Sequence, residues 1–280
     1  MRSRLCALGL VLLLAGLFVV PVISQNAIGL SALELVRGAT KNQLKNDQSA
    51  ARFRYGERRI TQKRSRTYSL VESDAGTVER LVAQNDRPLG EAERHSASAW
   101  LDRVLADPQI MRKAVQEDEQ EAKRREKLIR VLPEAFLYEI EGEQPGGVVR
   151  IRFRPNPAFK PSSREAQICR GLRGTFWIDA TKLVFVKAEG ELVHEVNFGW
   201  GFLAHLDPGG HFYLEQTAVS PDVWRITKIQ VNLTGREFIF KAINIQVDEQ
   251  VWGFSQVADH LSLKDAVELL RNLTPDSRAK

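Results

Sequence analysis

The sequence predicts an α+β protein whose body is one large antiparallel β-meander or barrel. Between residue 137 and about residue 254, segments of alternating apolar and polar side chains follow one another at intervals of about ten residues. Each segment ends at Gly, Pro, Asn or Asp, and no helical pattern separates them. Because parallel strands would need crossover connections, these strands are expected to pair antiparallel. Helical patterns occur only before and after this region.

The first 24 residues are expected to be an export signal. Arg2 and Arg4 supply a positive start, the stretch from Leu5 to Val20 is apolar, and cleavage is expected before Gln25. The alternative is an uncleaved anchor, because the apolar stretch approaches the roughly 18 to 20 residues that a spanning helix needs. Both interpretations place the rest of the chain outside the cytoplasm, either periplasmic or secreted after cleavage or anchored by the N-terminal helix.

Residues 25–280 are predicted to form a single domain that begins and ends with a helix. Apolar spacing after the N-cap candidate Ser31 predicts a helix over about residues 31–49. A capping box starting at Ser262 predicts a short amphipathic helix over about residues 262–273. Both helices are expected to pack one apolar side on the sheet.

A helical insertion is predicted at about residues 91–132. Pro108 is expected to divide it into two helices. The second helix contains an almost wholly charged block, residues 117–127, in which acids precede bases at a spacing that stabilises isolated helices. This block is therefore expected to be a solvated part of the helix.

The strands before the insertion form a predicted hairpin with its turn at residues 74–76, and residues 52–66 carry a basic cluster. The net charge of the chain is +5, and it is +3 without the export signal. The cluster is interpreted as an ordinary solvated strand face. Anionic lipid headgroups, and hence peripheral membrane contact, are the alternative, and no nucleic-acid partner is expected in an exported protein.

No pattern predicts enzymatic chemistry. The sequence has no Gly-x-Ser-x-Gly, no His-Glu-x-x-His and no phosphate-binding glycine loop. Glu189 and Glu191 have the spacing of neighbours on one wet face of a strand, which is commonplace in sheets. Cys169 is the only cysteine after the export signal and is interpreted as a small packed residue. The protein is therefore expected not to be an enzyme.

Two histidines, His205 and His211, flank a turn at Pro208-Gly209 and raise the question of a metal site. A two-residue hairpin turn would place them on opposite faces of the sheet, where they could not share a metal. A five-residue loop would bring both to one face, with His194 as the nearby third histidine. The first register is preferred, so neither a metal nor another cofactor is expected.

Aromatic side chains are the remaining signal in the meander. Their simplest interpretation is a core beneath the helices, and the functional one is an apolar groove between sheet and helices that suits acyl chains. The groove candidates are Trp177, Phe198, Trp200, Phe202, Tyr213, Trp224 and Trp252.

The segment "GTFWIDATKLVFVKAEGEL" contains the run Trp177-Ile178-Asp179-Ala180-Thr181. Together with the export signal, the N-terminal helix and the interrupted meander, it resembles the periplasmic lipoprotein-localisation proteins of the LolA/LolB type. The resemblance covers about residues 30–254. It implies a meander curled into a half-open barrel, helices on its concave side and a hydrophobic cavity for acyl chains, with no catalytic residues. The polar block at residues 117–127 and the segment "PNPAFKP" depart from that pattern.

The expected function is that of an exported, non-enzymatic carrier or binder of lipid or lipoprotein acyl chains in the bacterial envelope. The alternative is an envelope β-sheet scaffold that binds a protein partner and has no ligand cavity. In that case the basic cluster at residues 52–66 and the charged block at residues 117–127 would be the contact surfaces.

Overall fold

The computed structural model describes residues 29–198, 204–237 and 241–272. The expected export signal lies outside the described residues. The helices are α1 (Ala32–Asn46), α2 (Glu91–Ala106), α3 (Pro108–Ala135), α4 (Leu263–Asn272) and a short 3-10 helix (Glu165–Arg170). None of the described helices combines the length and apolar composition that crossing a membrane requires.

Thirteen strands form one open antiparallel sheet, which confirms the predicted α+β class. The strands are β1 (Phe53–Ile60), β2 (Ser65–Ser73), β3 (Gly76–Gln84), β4 (Arg87–Pro88), β5 (Phe136–Gln144), β6 (Val148–Pro155), β7 (Leu172–Asp179), β8 (Val184–Leu192), β9 (Val196–Phe198), β10 (Ala204–Leu206), β11 (His211–Ser220), β12 (Val223–Glu237) and β13 (Lys241–Gln256). Their order is β4-β3-β2-β1-β13-β12-β11-β8-β7-β6-β5, and the short strands β9 and β10 pair beside β12. The first long strand therefore lies next to the last one.

The sheet has an inner face, defined here as the one that carries Phe176, and an outer face that carries Trp177. Directly paired residues share a face, and Ile151, Phe176 and Ala188 are paired in sequence across β6, β7 and β8. These side chains pack with Leu35 of α1 in the largest buried cluster. Helix α1 thus covers the inner face on the β5 side of the sheet.

Helices α2 and α3 connect the two edges of the sheet. Helix α3 has 28 residues, hence a length of about 42 Å. Near its start, Met111 and Val115 lie against Gly76 at the tip of the β2–β3 hairpin. Near its end it contacts β5 and the 3-10 helix. All residues from 116 to 125 are exposed, so the prediction that this charged block is solvated is confirmed.

The terminal helices are close to their predicted bounds. Ser31 caps α1 through a reciprocal capping box with Glu34. At α4, the Ser262 hydroxyl accepts from the backbone N–H of Asp265. Helix α4 packs on the outer face of β2 and β3, where Val71 and Val78 share a buried cluster with α4. Helices therefore cover parts of both faces.

The predicted hairpin at Pro208-Gly209 is wrong. Strands β10 and β11 both pair antiparallel with β12, His205 opposite Arg236 and His211 opposite Asn232, so they run in the same direction along one edge. Residues 207–210 form an excursion between them, held by backbone hydrogen bonds between Leu192 and both Gly209 and Gly210. Pro208-Gly209 therefore interrupts the row of residues that pairs with β12, but it does not reverse the direction of the chain.

Candidate functional site

Two of the predicted groove residues, Trp177 and Tyr213, lie near each other on the outer face. The Lys187 ammonium lies between them, 4.1 Å from the Trp177 ring centre and 4.9 Å from that of Tyr213. Arg150 and Lys228 continue the arrangement on either side, at 5.8 Å from Trp177 and 4.9 Å from Tyr213. Cations and aromatic rings thus alternate across five neighbouring strands, on the face opposite α1.

Trp252 and Trp224 are placed apart from this pair. The Trp252 ring covers Gly56, where an added Cβ would lie 2.8 Å from the indole. Close approach of this ring therefore requires glycine on β1. Trp224 lies at the start of β12, where its backbone exchanges two hydrogen bonds with the Asn46 side chain of α1 and Lys182 lies over its ring.

Phe198 packs in a third location, a small cluster with buried Leu192 and Leu206 at the other end of the sheet. Trp200 and Phe202 lie outside the described residues, in the connection between β9 and β10. The described candidates are therefore not gathered in one groove, and their contact with a ligand stays a prediction.

Along a single row of paired residues, the inner face changes from apolar to charged side chains. On the β6 to β12 side the row is apolar and ends with Leu214 opposite Ile229. Ile229 is opposite Glu249, and Glu249 is opposite Arg59. In the next row Val231 is opposite Val247. The inner groove is defined here as the apolar residues Leu214, Ile229, Val231 and Val247 with the charged residues Arg59 and Glu249.

The apolar part of the inner groove is only partly covered. Ile229, Val231 and Val247 are half-buried, although they are in the centre of the sheet on the helix-covered face. The turns of α3 between residues 116 and 125 have no buried side. Part of this apolar surface in the middle of the sheet is therefore accessible from the inner face.

Arg59 organises the charged part of the inner groove. Its guanidinium contacts both carboxylate oxygens of Glu57, which is 7% exposed, and a carboxylate oxygen of Glu79 at 2.8 Å. It also lies 4.6 Å from the ring centre of Tyr68. Neutralisation by Arg59 allows the Glu57 carboxylate to be buried.

The charges of this network shift the pKa of two further carboxyl groups. Burial and the neighbouring Glu57 carboxylate raise the pKa of Glu249, and Arg59 opposes that shift. Partial desolvation and Glu117 raise the pKa of Asp118, and again Arg59 opposes the shift. Asp118 belongs to the exposed turns of α3, so the helix passes within electrostatic range of Arg59.

A cavity of about 450 Å³, here called the α2 pocket, adjoins this network between α2 and strands β2 and β3. Tyr68, Leu81 and Trp100 supply its aromatic and apolar walls, and Arg66 and Arg103 its cations. The indole N–H of Trp100 donates to the backbone carbonyl of Glu79 at 3.2 Å, which covers a part of β3 that the short edge strand β4 does not pair with.

A larger depression of about 1190 Å³, the outer trough, lies on the outer face where β6, β7, β8 and β11 end near the 155–157 loop. Its lining includes Arg154, Arg170 and Arg173 as well as Tyr213. Arg173 is paired with Glu191 at 2.8 Å. The trough is a solvated, basic surface on the opposite side of the sheet from the inner groove.

The two histidines of the possible metal site, His205 and His211, lie on the same face, which corrects the predicted placement on opposite faces. Their partners Arg236 and Asn232 are four residues apart on β12, hence about 13 Å. His205 contacts Asp207 at 3.4 Å. Across the described residues, no group of three His, Cys, Asp or Glu side chains is arranged to hold a metal ion.

Cys169 lies buried in the 3-10 helix beneath the main cluster. Burial raises the pKa of its thiol to about 12, so the thiolate needed for nucleophilic chemistry is strongly disfavoured.

The charged half of the inner groove was not recognised from the sequence. Arg59 falls within the basic cluster of residues 52–66, for which the sequence alone predicts a solvated face. Its inward position follows from register, since Arg59 pairs with Glu249 on the inner face, whereas its neighbour Arg58 pairs with Asp86 on the outer side. The sequence signal for this pair is the spacing of Glu57 and Arg59, which are two residues apart and therefore lie on the same face of β1.

Comparison with known proteins yields no assignment. No protein-family model, no curated protein and no solved structure matches this chain.

Proposed function

We propose that the protein is an exported, non-enzymatic carrier or binder of lipid or lipoprotein acyl chains, acting in a bacterial envelope. The observation that carries this proposal is the inner groove, where apolar residues of β11, β12 and β13 are only half-buried and residues 116–125 of α3 are all exposed. An acyl chain placed there would cover Leu214, Ile229 and Val231. The charged residues Arg59 and Glu249 lie beside them, as an amphiphile requires.

The proposed architecture is the half-open barrel that the LolA/LolB resemblance implies, with the inner face concave and the acyl chain between it and the helices. Two features support it. The sheet is open at β4 and β5, and the chain between these edges forms α2 and α3, of which α3 passes within electrostatic range of the inner-face residue Arg59. Helices α1 and α3 contact each other, with Arg125 of α3 3.3 Å from Asp47 beyond α1.

Burial of hydrocarbon would supply the affinity. Each CH₂ group removed from water contributes about 0.8 kcal/mol, so ten of them contribute about 8 kcal/mol before the costs of association. The apolar residues of the groove would gain contacts as well, since they are half-buried without a ligand.

Lipid extraction of the purified protein followed by mass spectrometry tests the proposal. Val231→Asn, which places a polar amide in the groove, should reduce the amount of bound lipid at least about tenfold, because the amide would lose hydrogen bonds to water beside hydrocarbon. Gln230→Asn is the matched control, since its side chain belongs to the adjacent outer-face position. Absence of lipid from the wild type, or equal loss in both variants, would contradict the proposal.

A second candidate is an envelope scaffold that binds a protein partner. The exposed charged turns of α3, residues 116–125, favour it because they present acids and bases to solvent on every side. Crosslinking in the envelope should then capture one stable partner on this segment, and charge-reversing substitutions there should abolish capture while Val231→Asn leaves it intact. Capture that depends on Val231 would favour the carrier.

A further inference from the structure

We infer that the α2 pocket binds an oxyanion with the chemistry of a phosphate headgroup, and that the inner groove thereby prefers anionic amphiphiles. The inference rests on the proposed function for the acyl chains, whereas the oxyanion contact stands on the pocket alone.

Arg66 is the main observation. It lies directly opposite Arg59 on the neighbouring strand and lines the α2 pocket. Arg59 is neutralised by Glu57 and Glu79, but among the described residues Arg66 has no acidic partner. Its Nε is buried and makes no hydrogen bond.

This arrangement is costly without a ligand. The buried Nε donor of Arg66 has lost its hydrogen bond to water and gains no acceptor in the fold. A bound oxyanion would remove this cost, because it accepts from the guanidinium and compensates its charge.

The acids in the pocket lining do not serve this purpose. Glu79 binds Arg59, and the Glu93 carboxylate accepts from the backbone N–H of Gly90 at the start of α2. A second cation is present, since Arg103 lies 5.3 Å from the ring centre of Trp100 at the mouth of the pocket. Two arginines and an aromatic wall thus remain available to a ligand.

The distance between Arg66 and the apolar part of the inner groove matches the length of a single amphiphile. Arg66 is on β2 and Ile229 is on β12, three strand positions away, which is about 14 Å. One leaflet of a bilayer has a hydrocarbon depth of about 15 Å. A molecule whose head contacts Arg66 would therefore reach the apolar part of the inner groove with its chains.

The experiment compares three probes on the delipidated protein: dioleoyl phosphatidylglycerol, dioleoylglycerol and glycerol 3-phosphate. Arg66→Gln should weaken binding of phosphatidylglycerol about tenfold, the loss expected for one charge-assisted contact, and change that of dioleoylglycerol less than about twofold. Arg64→Gln is the matched control, since Arg64 is exposed two residues earlier and outside the pocket. Arg103→Gln, on the exposed side of α2, repeats the test at a position with little effect on folding.

The inference is overturned if both pocket variants bind phosphatidylglycerol like the wild type, or if the wild type binds both lipids equally and no glycerol 3-phosphate. The second result would leave the carrier proposal intact. Binding of glycerol 3-phosphate that depends on Arg66, with no binding of either lipid, would support the oxyanion site with a free phosphate as its source and contradict the carrier proposal.

Discussion

At the residue scale, a single guanidinium holds together carboxylates from separate strands. Glu57 comes from β1, Glu79 from β3, and Glu249 on β13 is opposite Arg59. Buried pairs of this kind contribute little net stability when intact, but removal of one partner leaves an uncompensated charge. The network therefore makes the inner groove sensitive to single substitutions.

Arg59→Met should lower the free energy of unfolding by about 2 kcal/mol, less than for a fully buried pair because the Arg59 side chain is 36% exposed. Arg58→Met is the control: Asp86, its partner, is 55% exposed, so the cost should stay below about 1 kcal/mol. Urea unfolding followed by circular dichroism measures both. Equal effects would show that Arg59 does not stabilise a buried carboxylate.

Glu249 predicts a pH dependence of stability. Burial and Glu57 raise the pKa of its carboxyl above the usual 4.5, so the folded protein binds this proton more tightly than the unfolded chain does. The stabilisation that comes from protonated Glu249 is complete below pH 4.5, and it is lost as pH rises through the raised pKa of the folded protein. Glu249→Gln should therefore be more stable than the wild type at neutral pH, with a smaller fall in unfolding free energy above pH 4.5.

Unfolding titrations across that pH range check the Glu249 prediction. Glu268→Gln removes a carboxylate from an exposed position of α4 and should leave the pH profile unchanged. A Glu249→Gln variant that loses stability at neutral pH would contradict the account.

At the element scale, the approach of β7 to β8 depends on glycine. Gly174 and Gly190 are directly paired on the inner face. A Cβ on Gly174 would overlap the carbonyl oxygen of Glu189, and one on Gly190 would lie 2.8 Å from the ring of Phe212. The two strands and β11 can therefore pack as they do only without side chains at these positions.

Gly174→Ala should reduce the free energy of unfolding by about 2 kcal/mol, because backbone must shift to accommodate the methyl group. Thr175→Ala, at the next position on the outer face, should cost less than about 1 kcal/mol. Thermal and urea unfolding of the two variants provide the comparison. A Gly174→Ala variant as stable as the wild type would mean that β7 and β8 are further apart than described.

Elements with local signals could be predicted from the sequence. The Ser31 cap, the turn at residues 74–76, the break at Pro108 and the N-cap at Ser262 all depend on neighbouring residues, and all four are present, although the expected capping box at Ser262 lacks its bond to the backbone N–H of Ser262. The predicted end of α1 is less accurate, since the helix stops at Asn46 and not near residue 49.

Elements set by distant partners could not be predicted. Strand β10 and the start of β11 are aligned by β12, whose residues opposite His205 and His211 lie 31 and 21 positions later, and this outweighs the local signal of Pro208-Gly209. The pairing of β1 with β13 likewise joins opposite ends of the chain and turns Arg59 towards Glu249. Face assignment in a sheet depends on such register, because a shift of one residue exchanges the faces.

At the scale of the whole molecule, the two faces of the sheet have different chemistry. The inner face is apolar towards β5 and charged towards β3, whereas the outer face carries alternating cations and aromatic rings and the outer trough. Helix α3 crosses the inner face with its middle turns exposed. We propose that acyl chains bind to the half-buried apolar residues of that face.

Photo-crosslinking with a diazirine-labelled fatty acid, read out residue by residue, shows which face of the sheet binds acyl chains. We expect adducts on the inner-face residues Leu214, Ile229 and Val231, and expect an excess of unlabelled lipid to remove them. The adjacent outer-face residues Tyr213 and Gln230 serve as internal controls on the same strands. Adducts concentrated on those outer-face residues, or none that unlabelled lipid displaces, would contradict the proposed carrier.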